Sequence, residues 1–579
     1  MDSGRFVLAV ILMIAVMVVT NILFAPDPVP RPDAVSDSVV VVDSAPVALD
    51  TALPTEPAAE TESPLTGLPA ESAAAPAGQL PTTADPATPG AAVLGDTVWV
   101  ESPLYRYGFS TRGAGLLSLQ VLGHNDYSED LEEEERPPVE LVPEGRTLVR
   151  PRMRVGEQVL DLAALEFQVE PAGGLQLGEG AGPDTLRFTW NGPDGRAQLV
   201  LGYAFRSSEY VVDSWVYLTG VGDVPQRLLL DLGPTLASNE ANPDEDIRER
   251  AMVVNGSREG IQSTPLRSVD EATVREGPFH WVALRSKYFV VAVLRGQDGT
   301  VPLSSVEVTP GDSAATANLT AYLNRGSDRA AFSYRLYLGP QDPGRLAAVG
   351  YDFGDVNQLG WRFLRPIIQP VARFVTWALL EMHNVLGLGY GWVLILFGVL
   401  IRVVLWPLNA KAARSQLKTM ELQPRIKEIQ TKHKGNPEQT QKEMMRLYKE
   451  EGFNPMGGCL PVLIPFPVLI ALFFVFQATI EFRGVDFLWL PDLSRPDPYY
   501  LLPVLLGVSM FLMQWVMRPV AGDNPQMKMM MYFMPIFMTV IFLNFASGLN
   551  LYYATMNLAS IPQQILTVRE RKRTLENRK

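Results

Sequence analysis

Arg402 is the residue whose chemistry most needs an explanation. It is the one charged side chain in the run Gly391–Trp406, which is otherwise built of Trp, Val, Leu, Ile, Phe and Gly and is followed by Pro407. An ionised guanidinium in hydrocarbon costs about 2.5–3.5 kcal/mol on insertion scales, and arginine cannot escape by losing its proton. Two outcomes stand level on the residues alone. The side chain can snorkel toward Asn409, about 10 Å further along a helix. Otherwise the protein surrounds it with water or a partner, which makes it a functional residue. Gln477, Ser509, Gln514, Thr539, Asn544, Asn550 and Asn557 are further polar residues in apolar runs. Singly, each suits an interhelical hydrogen bond or a cap; together with Arg402 they would line a wet groove reaching half-way into a membrane.

Other chemistry is missing. No glycine-rich run ends in Gly-Lys-Ser/Thr, no His-Glu-x-x-His pattern occurs, and no Gly-x-Ser-x-Gly elbow is present. His124 and His280 are scattered and read as structural histidines rather than metal ligands. One cysteine, Cys459, rules out an intramolecular disulfide. The expectation is a protein that is not an enzyme and needs no cofactor or metal.

The elements that must position Arg402 come from composition and periodicity. The chain has 579 residues and a formal net charge of -14, but it is a mosaic, with an acidic run at Ser128–Glu135 and apolar runs crowding the C-terminal third. Phe6–Phe24 is long enough to span a bilayer, and Pro26 spoils the candidate cleavage site, so residues 1–25 read as an uncleaved anchor. Residues 26–95, rich in Pro, Ala, Thr, Ser and Asp, read as a disordered tether. Residues 96–345 alternate short Val-, Tyr- and Phe-rich runs with Gly, Pro, Asp and Asn. Leu199–Phe205, Gln226–Leu232, Trp281–Leu294 and Phe332–Leu338 are strand-like, and a large antiparallel sandwich is expected. Residues 357–380 mix Arg with Trp, Phe and Ile, as an amphipathic helix in the membrane interface does.

Spans are expected at Tyr390–Trp406, Gly457–Ile480 (broken by Pro461, Pro465 and Pro467), Leu501–Met517, Met529–Phe545 and Leu549–Val568, each near bilayer length. They form a transmembrane core over 388–568, with a basic helical hairpin at 409–452 and a basic tail at 569–579. Lys and Arg crowd the hairpin and tail and are sparse over Glu481–Pro498. The positive-inside rule therefore puts both termini and the hairpin in the cytoplasm, and residues of about 26–380 outside.

Ordered motifs turn this into a resemblance. Leu400-Ile-Arg-Val-Val-Leu-Trp-Pro-Leu408, Leu422-Gln-Pro-Arg-Ile426, Glu443-Met-Met-Arg-Leu-Tyr-Lys449, Asn454-Pro-Met-Gly-Gly-Cys-Leu-Pro461, Asp492-Leu-Ser-Arg-Pro-Asp-Pro-Tyr-Tyr500 and Ser547-Gly-Leu-Asn-Leu-Tyr-Tyr553 closely resemble the YidC-type membrane protein insertases. Ser110–Gly115 and Leu338–Pro340 fit the Gram-negative form more weakly. The resemblance implies a five-helix insertase core, an N-terminal anchor and an all-β periplasmic supersandwich in the inner membrane of the cell. It implies that Arg402 sits in a hydrophilic groove open to the cytoplasm and receives nascent membrane proteins. Arg402, Gln477, Gln514, Asn544, Asn550 and Tyr500 are assigned to that groove, and Leu463, Phe466, Leu469, Phe473, Met534 and Phe537 to a greasy slide beside it. Partners implied are the Sec translocon, ribosomes and the signal recognition particle pathway, but not DNA. Arg569, Arg571, Lys572 and Arg573 are assigned to ribosomes or anionic lipid. The chain departs from the family at Gly398 and Pro465, where polar residues are frequent, so those groove walls should be less polar. The rival reading is a secondary transporter with Arg402 as anion ligand; against it, no internal repeat and no second intramembrane charge is visible.

Overall fold

The computed structural model describes residues 95–128, 135–222, 224–296, 303–312, 316–324, 331–360, 363–407, 410, 422, 425–426, 428–433, 436–451, 465–521 and 525–576. The expected anchor, nearly all of the tether and much of the hairpin lie outside the described residues.

Alternating apolar residues build the first unit. Strand β11 (Val211–Thr219) shows the pattern most simply: Val212, Ser214, Val216 and Leu218 are buried while their neighbours are half-exposed. Two sheets result. A five-stranded sheet carries β1 (Thr97–Glu101), β2 (Tyr105–Ser110), β3 (Leu116–Asn125), β4 (Pro138–Glu140) and β8 (Leu175–Gln176) in the order β4-β3-β2-β1-β8. A fourteen-stranded sheet has β6 (Gln158–Asp161) and β5 (Arg150–Val155) at one edge and β19 (Ala331–Pro340) in its interior. Its pairings are antiparallel. The core between the sheets is aromatic. Tyr105 and Tyr107 of β2 stack at 4.1 Å, and Phe109 lies 5.0 Å from Tyr203 and 5.8 Å from Phe205 of β10 (Gln198–Phe205). Tyr107 Oη also donates to the Leu338 carbonyl of β19 at 2.5 Å, so the buried hydroxyl is satisfied.

One expected strand divides. Trp281–Leu294 is a hairpin of β15 (Thr273–Arg285) and β16 (Phe289–Arg295), turning at Ser286–Tyr288. Both arms are buried on both faces, so the run has no alternation to mark the turn. Lys287 at the turn is tied to Glu245 of α1 (Pro243–Glu249) at 3.0 Å.

The second unit is helical. Beyond α2 (Pro343–Val349) come α3 (Arg365–Leu386), α4 (Tyr390–Val404), α5 (Pro437–Glu450), α6 (Pro465–Ala478), α7 (Leu501–Ala521), α8 (Pro525–Phe542) and α9 (Ser547–Glu576). Helix α9 packs against α4 and α7, α8 packs on α7, and α6 packs on α3. The α3–α4 joint bends by 117° at Gly387–Gly389, where Gly387 adopts φ 64°. The amphipathic helix runs six residues past its expected end at 380.

Among the described residues no single helix is long and apolar enough to cross a membrane, although the bent α3–α4 pair passes together. The expectation of spans each near bilayer length is therefore not met helix by helix. The apolar stretches are Pro467–Ala478, Leu501–Val516 and Met531–Phe542, and polar residues along α9 break its hydropathy.

Candidate substrate groove

Helix α4 is built of strong apolar helix formers, and its two faces separate by neighbour. Val393, Leu394, Phe397 and Gly398 are buried; Trp392, Leu396, Val399, Leu400, Val403 and Val404 are exposed. Gly398 sits against α9, where an added Cβ would lie 3.4 Å from Tyr552 and 3.5 Å from Thr555. One turn further on, α4 presents Arg402, and just past the helix end the Trp406 carbonyl accepts from Gln563 Nε2 at 3.0 Å. Arg402 thus lies on α4 between its contacts with the Tyr552–Thr555 turn and with Gln563. It is half-buried, and its Nε is shielded from solvent with no hydrogen-bond partner among the described residues.

The helix facing this level is polar. On α9, Asn557, Ser560, Gln563 and Thr567 are all buried. Asn557 Nδ2 donates to Ser509 Oγ of α7 at 3.2 Å, and Ser560 Oγ donates to the Asn557 carbonyl at 2.6 Å. The Oε1 atoms of Gln563 and Gln564 are buried without partners among the described residues. Sequence reasoning singled out Ser509 and Asn557 but missed Ser560, Gln563, Gln564 and Thr567. Their spacing of three and four residues marks one helix face and was the available signal.

The other residues assigned to the groove lie elsewhere. Gln477 and Asn544 line one small cleft with Ser494, Phe545, and Glu245 and Lys287 of the β unit. Asn550 is fully buried and donates to the Phe542 and Phe545 carbonyls, finishing α8. Tyr500 is exposed at the start of α7 with φ 58°. These four sit at the end of the helices that meets the β unit. Arg402 is about 16 Å along α4 from Gly391, which abuts Phe487 at that end. Gln514 is half-exposed on α7 and about 140° around the helix from Ser509. The structure therefore places four of these at the β-unit end, away from Arg402, and sets Gln514 beside Met513, which meets Ser560 of the α9 stripe; a polar residue in an apolar run reveals neither its depth nor its facing.

Of the slide residues, Leu463 and the Phe466 side chain lie outside the described residues. Leu469 is half-buried, and Phe473 is buried 5.3 Å from Phe545. Met534 and Phe537 are half-buried, Phe537 stacking on Phe533 at 5.4 Å. The exposed wall of α8 is instead Tyr532, Phe533, Ile536 and Val540. Arg569 is exposed near the end of α9; the side chains of Arg571, Lys572 and Arg573 lie outside the description.

The end of the helices that meets the β unit is joined to it by a second arginine. Arg483, between α6 and α7, is a buried cation with every nitrogen engaged. Nε meets both Glu240 oxygens at 2.9 and 3.1 Å, Nη1 donates to the Asn125 carbonyl at 2.7 Å and Nη2 to the Asn239 carbonyl at 2.9 Å. The guanidinium also lies 4.6 Å from the Tyr127 ring centre. Burial pushes the Glu240 carboxyl up to about 7, against the downward pull of Arg483 and Lys287. Burial first and Arg483 second push His124 down to about 4.

A two-sheet β unit anchored on apolar helices with lipid-ready outer faces defines a membrane-associated protein with a β-sandwich domain and a helical C-terminal region. Residues 97–372 match the YidC periplasmic domain model, and residues 381–574 match the 60Kd inner membrane protein model. A membrane protein insertase YidC of Chlorobaculum parvum is 34% identical over 405 residues, covering 64% of this chain and 66% of that protein, just under two thirds of its length. One from Pelodictyon phaeoclathratiforme is 32% identical over 493 residues, covering 80% of this chain and 81% of the relative. A solved active YidC insertase is 18% identical with a TM-score of 0.32, covering 82% of this chain and 93% of that one. The chain belongs to the YidC family of membrane protein insertases.

Proposed function

We propose that this protein inserts nascent membrane proteins into the inner membrane through a hydrophilic groove centred on Arg402, without nucleotide hydrolysis. The observation that carries the reading is the place of Arg402, in the last turn of an apolar helix packed against the polar stripe of α9, with its Nε shielded and unpartnered among the described residues. A buried donor without a partner is held at a cost, and an arriving acidic or polar segment would relieve it. The substrate's apolar helix then leaves along exposed apolar walls such as that of α8 and partitions into lipid. Burial at about 25 cal/mol per Å² supplies the drive, and the membrane potential adds about 2.3 kcal/mol per charge per 100 mV for acidic residues moving outward.

In this reading residues 1–25 anchor the chain, 26–95 tether the domain of 96–345, 357–380 lie in the outer interface, and 388–568 form the five-helix core. Both termini are cytoplasmic. The hairpin of 409–452 and the basic tail offer contacts to ribosomes, signal recognition particle components and anionic lipid, and the Sec translocon is a partner for longer substrates. The α9 stripe provides the polar wall that Gly398 does not.

The test compares Arg402→Ala with Arg402→Lys in insertion of a single-span substrate with an acidic outer tail. Lys should retain most insertion and Ala lose most of it; full insertion by Arg402→Ala would remove Arg402 from the mechanism.

A further inference from the structure

Where α3 meets the β unit, a crevice of about 290 Å³ is left open. Leu346 of α2, Leu359 of the connecting segment and Trp377 and Leu380 of α3 give it a mainly apolar lining, and the outer end of α6 closes it at Ala478 and Thr479. Its polar rim is small. Asp355 pairs with Arg373 and accepts from Gln369 Nε2 at 2.8 Å, and Arg373 remains more than half exposed. The outward face of α3 beside it presents Ile367, Phe374 and Trp377, each more than half exposed.

Charge at this place is unusual. Between Asp355 and Glu381 the chain carries Arg362, Arg365 and Arg373 and no acidic residue. Basic residues are ordinarily kept to the cytoplasmic side, so a basic, aromatic helix on the outer side calls for an anionic neighbour. Asp355 pairs with Nη2 of Arg373, and the guanidinium still stays more than half exposed, with donors left for a second anion.

We propose that the crevice is a phospholipid site: an acyl chain of an outer-leaflet lipid occupies the apolar lining, and its phosphate lies against Arg373. Three observations select this occupant. The lining is continuous with the exposed aromatic face of α3, along which a lipid chain would arrive. The volume accepts a thin chain but not a substrate helix about 10–12 Å wide. The exposed cation stands beside the apolar pocket, matching the order of groups in a phospholipid. The proposal rests on the reading of α3 as an interfacial helix.

The experiment keeps the two apart. Full-length protein is reconstituted in phosphatidylcholine vesicles, with and without phosphatidylglycerol, each containing a phospholipid with a photoreactive diazirine on its acyl chain. Adducts are mapped by mass spectrometry. Adducts are expected at Leu346, Leu359 and Leu380, as well as at Ile367 and Phe374 on the open face of α3. Leu380→Trp, which fills the crevice, should remove the first group and spare the second. Arg373→Glu, at an exposed position, should weaken the first group and abolish any gain from phosphatidylglycerol. Labelling of Ile367 and Phe374 without Leu346 and Leu359 would overturn the lipid site and leave the interfacial helix standing. Absence of both groups would overturn the interfacial reading and the site with it. Crevice adducts unchanged in both variants, or crosslinks there to a substrate chain instead of lipid, would also overturn the proposal.

Discussion

Replacing Arg483 with alanine should release the β domain from the helices, and the structure sets the size of the effect. The change removes a bidentate contact to Glu240 and two hydrogen bonds to the carbonyls of Asn125 and Asn239, all in a site where the arginine side chain is 2% exposed. Breaking a buried ion pair from one side costs about 3–5 kcal/mol. The readout is hydrogen exchange of the Tyr127 amide, which donates to the Asn239 carbonyl at 2.9 Å beside the arginine. At 1.4 kcal/mol per tenfold, protection should fall by about a hundredfold to a few thousandfold. The control is Arg446→Ala, which breaks an exposed pair with Glu450 and should cost at most about 0.5 kcal/mol. Joint replacement by Arg483→Met and Glu240→Leu should recover most of the loss, since an apolar pair of similar volume leaves no buried charge. If Arg483→Ala moved Tyr127 exchange no more than the control does, the arginine would not be what holds the joint.

Three further outcomes follow from nearby geometry. Gly484 has φ 70°, and an added Cβ would stand 1.8 Å from the Tyr127 hydroxyl; Gly484→Ala should loosen the same joint, and Tyr127→Ala should partly restore it in the same exchange measurement. Glu240, raised to about 7, holds a proton in the folded state that it lacks unfolded, so its contribution is full below about 4.5 and is lost as pH rises through 7. His124, lowered to about 4, does the opposite: its contribution is present above 6.5 and is lost as pH falls toward 4. Relative to wild type, the pH dependence of stability in denaturant titrations between about pH 4.5 and 6.5 should tilt upward with rising pH in Glu240→Gln and downward in His124→Gln; an unchanged slope in either variant would refute its assignment. Gly398→Ala should be tolerated, because its Cβ would make ordinary contacts at 3.4–3.5 Å, and should stabilise α4 by about 1 kcal/mol in thermal melts.

Much of this architecture was readable from periodicity, because period-2 and period-3.6 patterns report burial directly. β10 and β12 (Gln226–Gly233) fall within a residue or so of their runs, and the helices after Tyr390 begin and end near the apolar stretches. Periodicity failed where burial was two-sided, as at Ser286–Tyr288. It also failed where facing mattered more than type. Gln477 and Asn544 are as conspicuous in sequence as Asn557, yet they line a cleft at the β-domain end. The joint at Arg483 had no local signal at all. Its partner Glu240 lies 243 residues away, and a lone arginine in a loop otherwise reads as a solvated charge.

Arg483 and Arg402 differ in how far their nitrogens are satisfied as well as in burial. Arg483 lies deeper, but each of its nitrogens has a partner and three aromatic rings surround it. Such a group resists any newcomer, because a ligand would have to beat contacts already made. Arg402 is less buried and has its Nε unmatched among the described residues, with the buried carbonyl oxygens of Gln563 and Gln564 on the helix that packs against α4 also lacking donors. Unmatched donors and acceptors on packed helices ask for a guest that offers both, which water and a peptide group do and a lipid chain does not. Gln563→Leu should then weaken insertion of substrates with polar uncharged tails as much as those with acidic tails, whereas Arg402→Ala should discriminate between them. Equal losses for both substrate types in both variants would mean that the α9 stripe and Arg402 act only to hold the helices together.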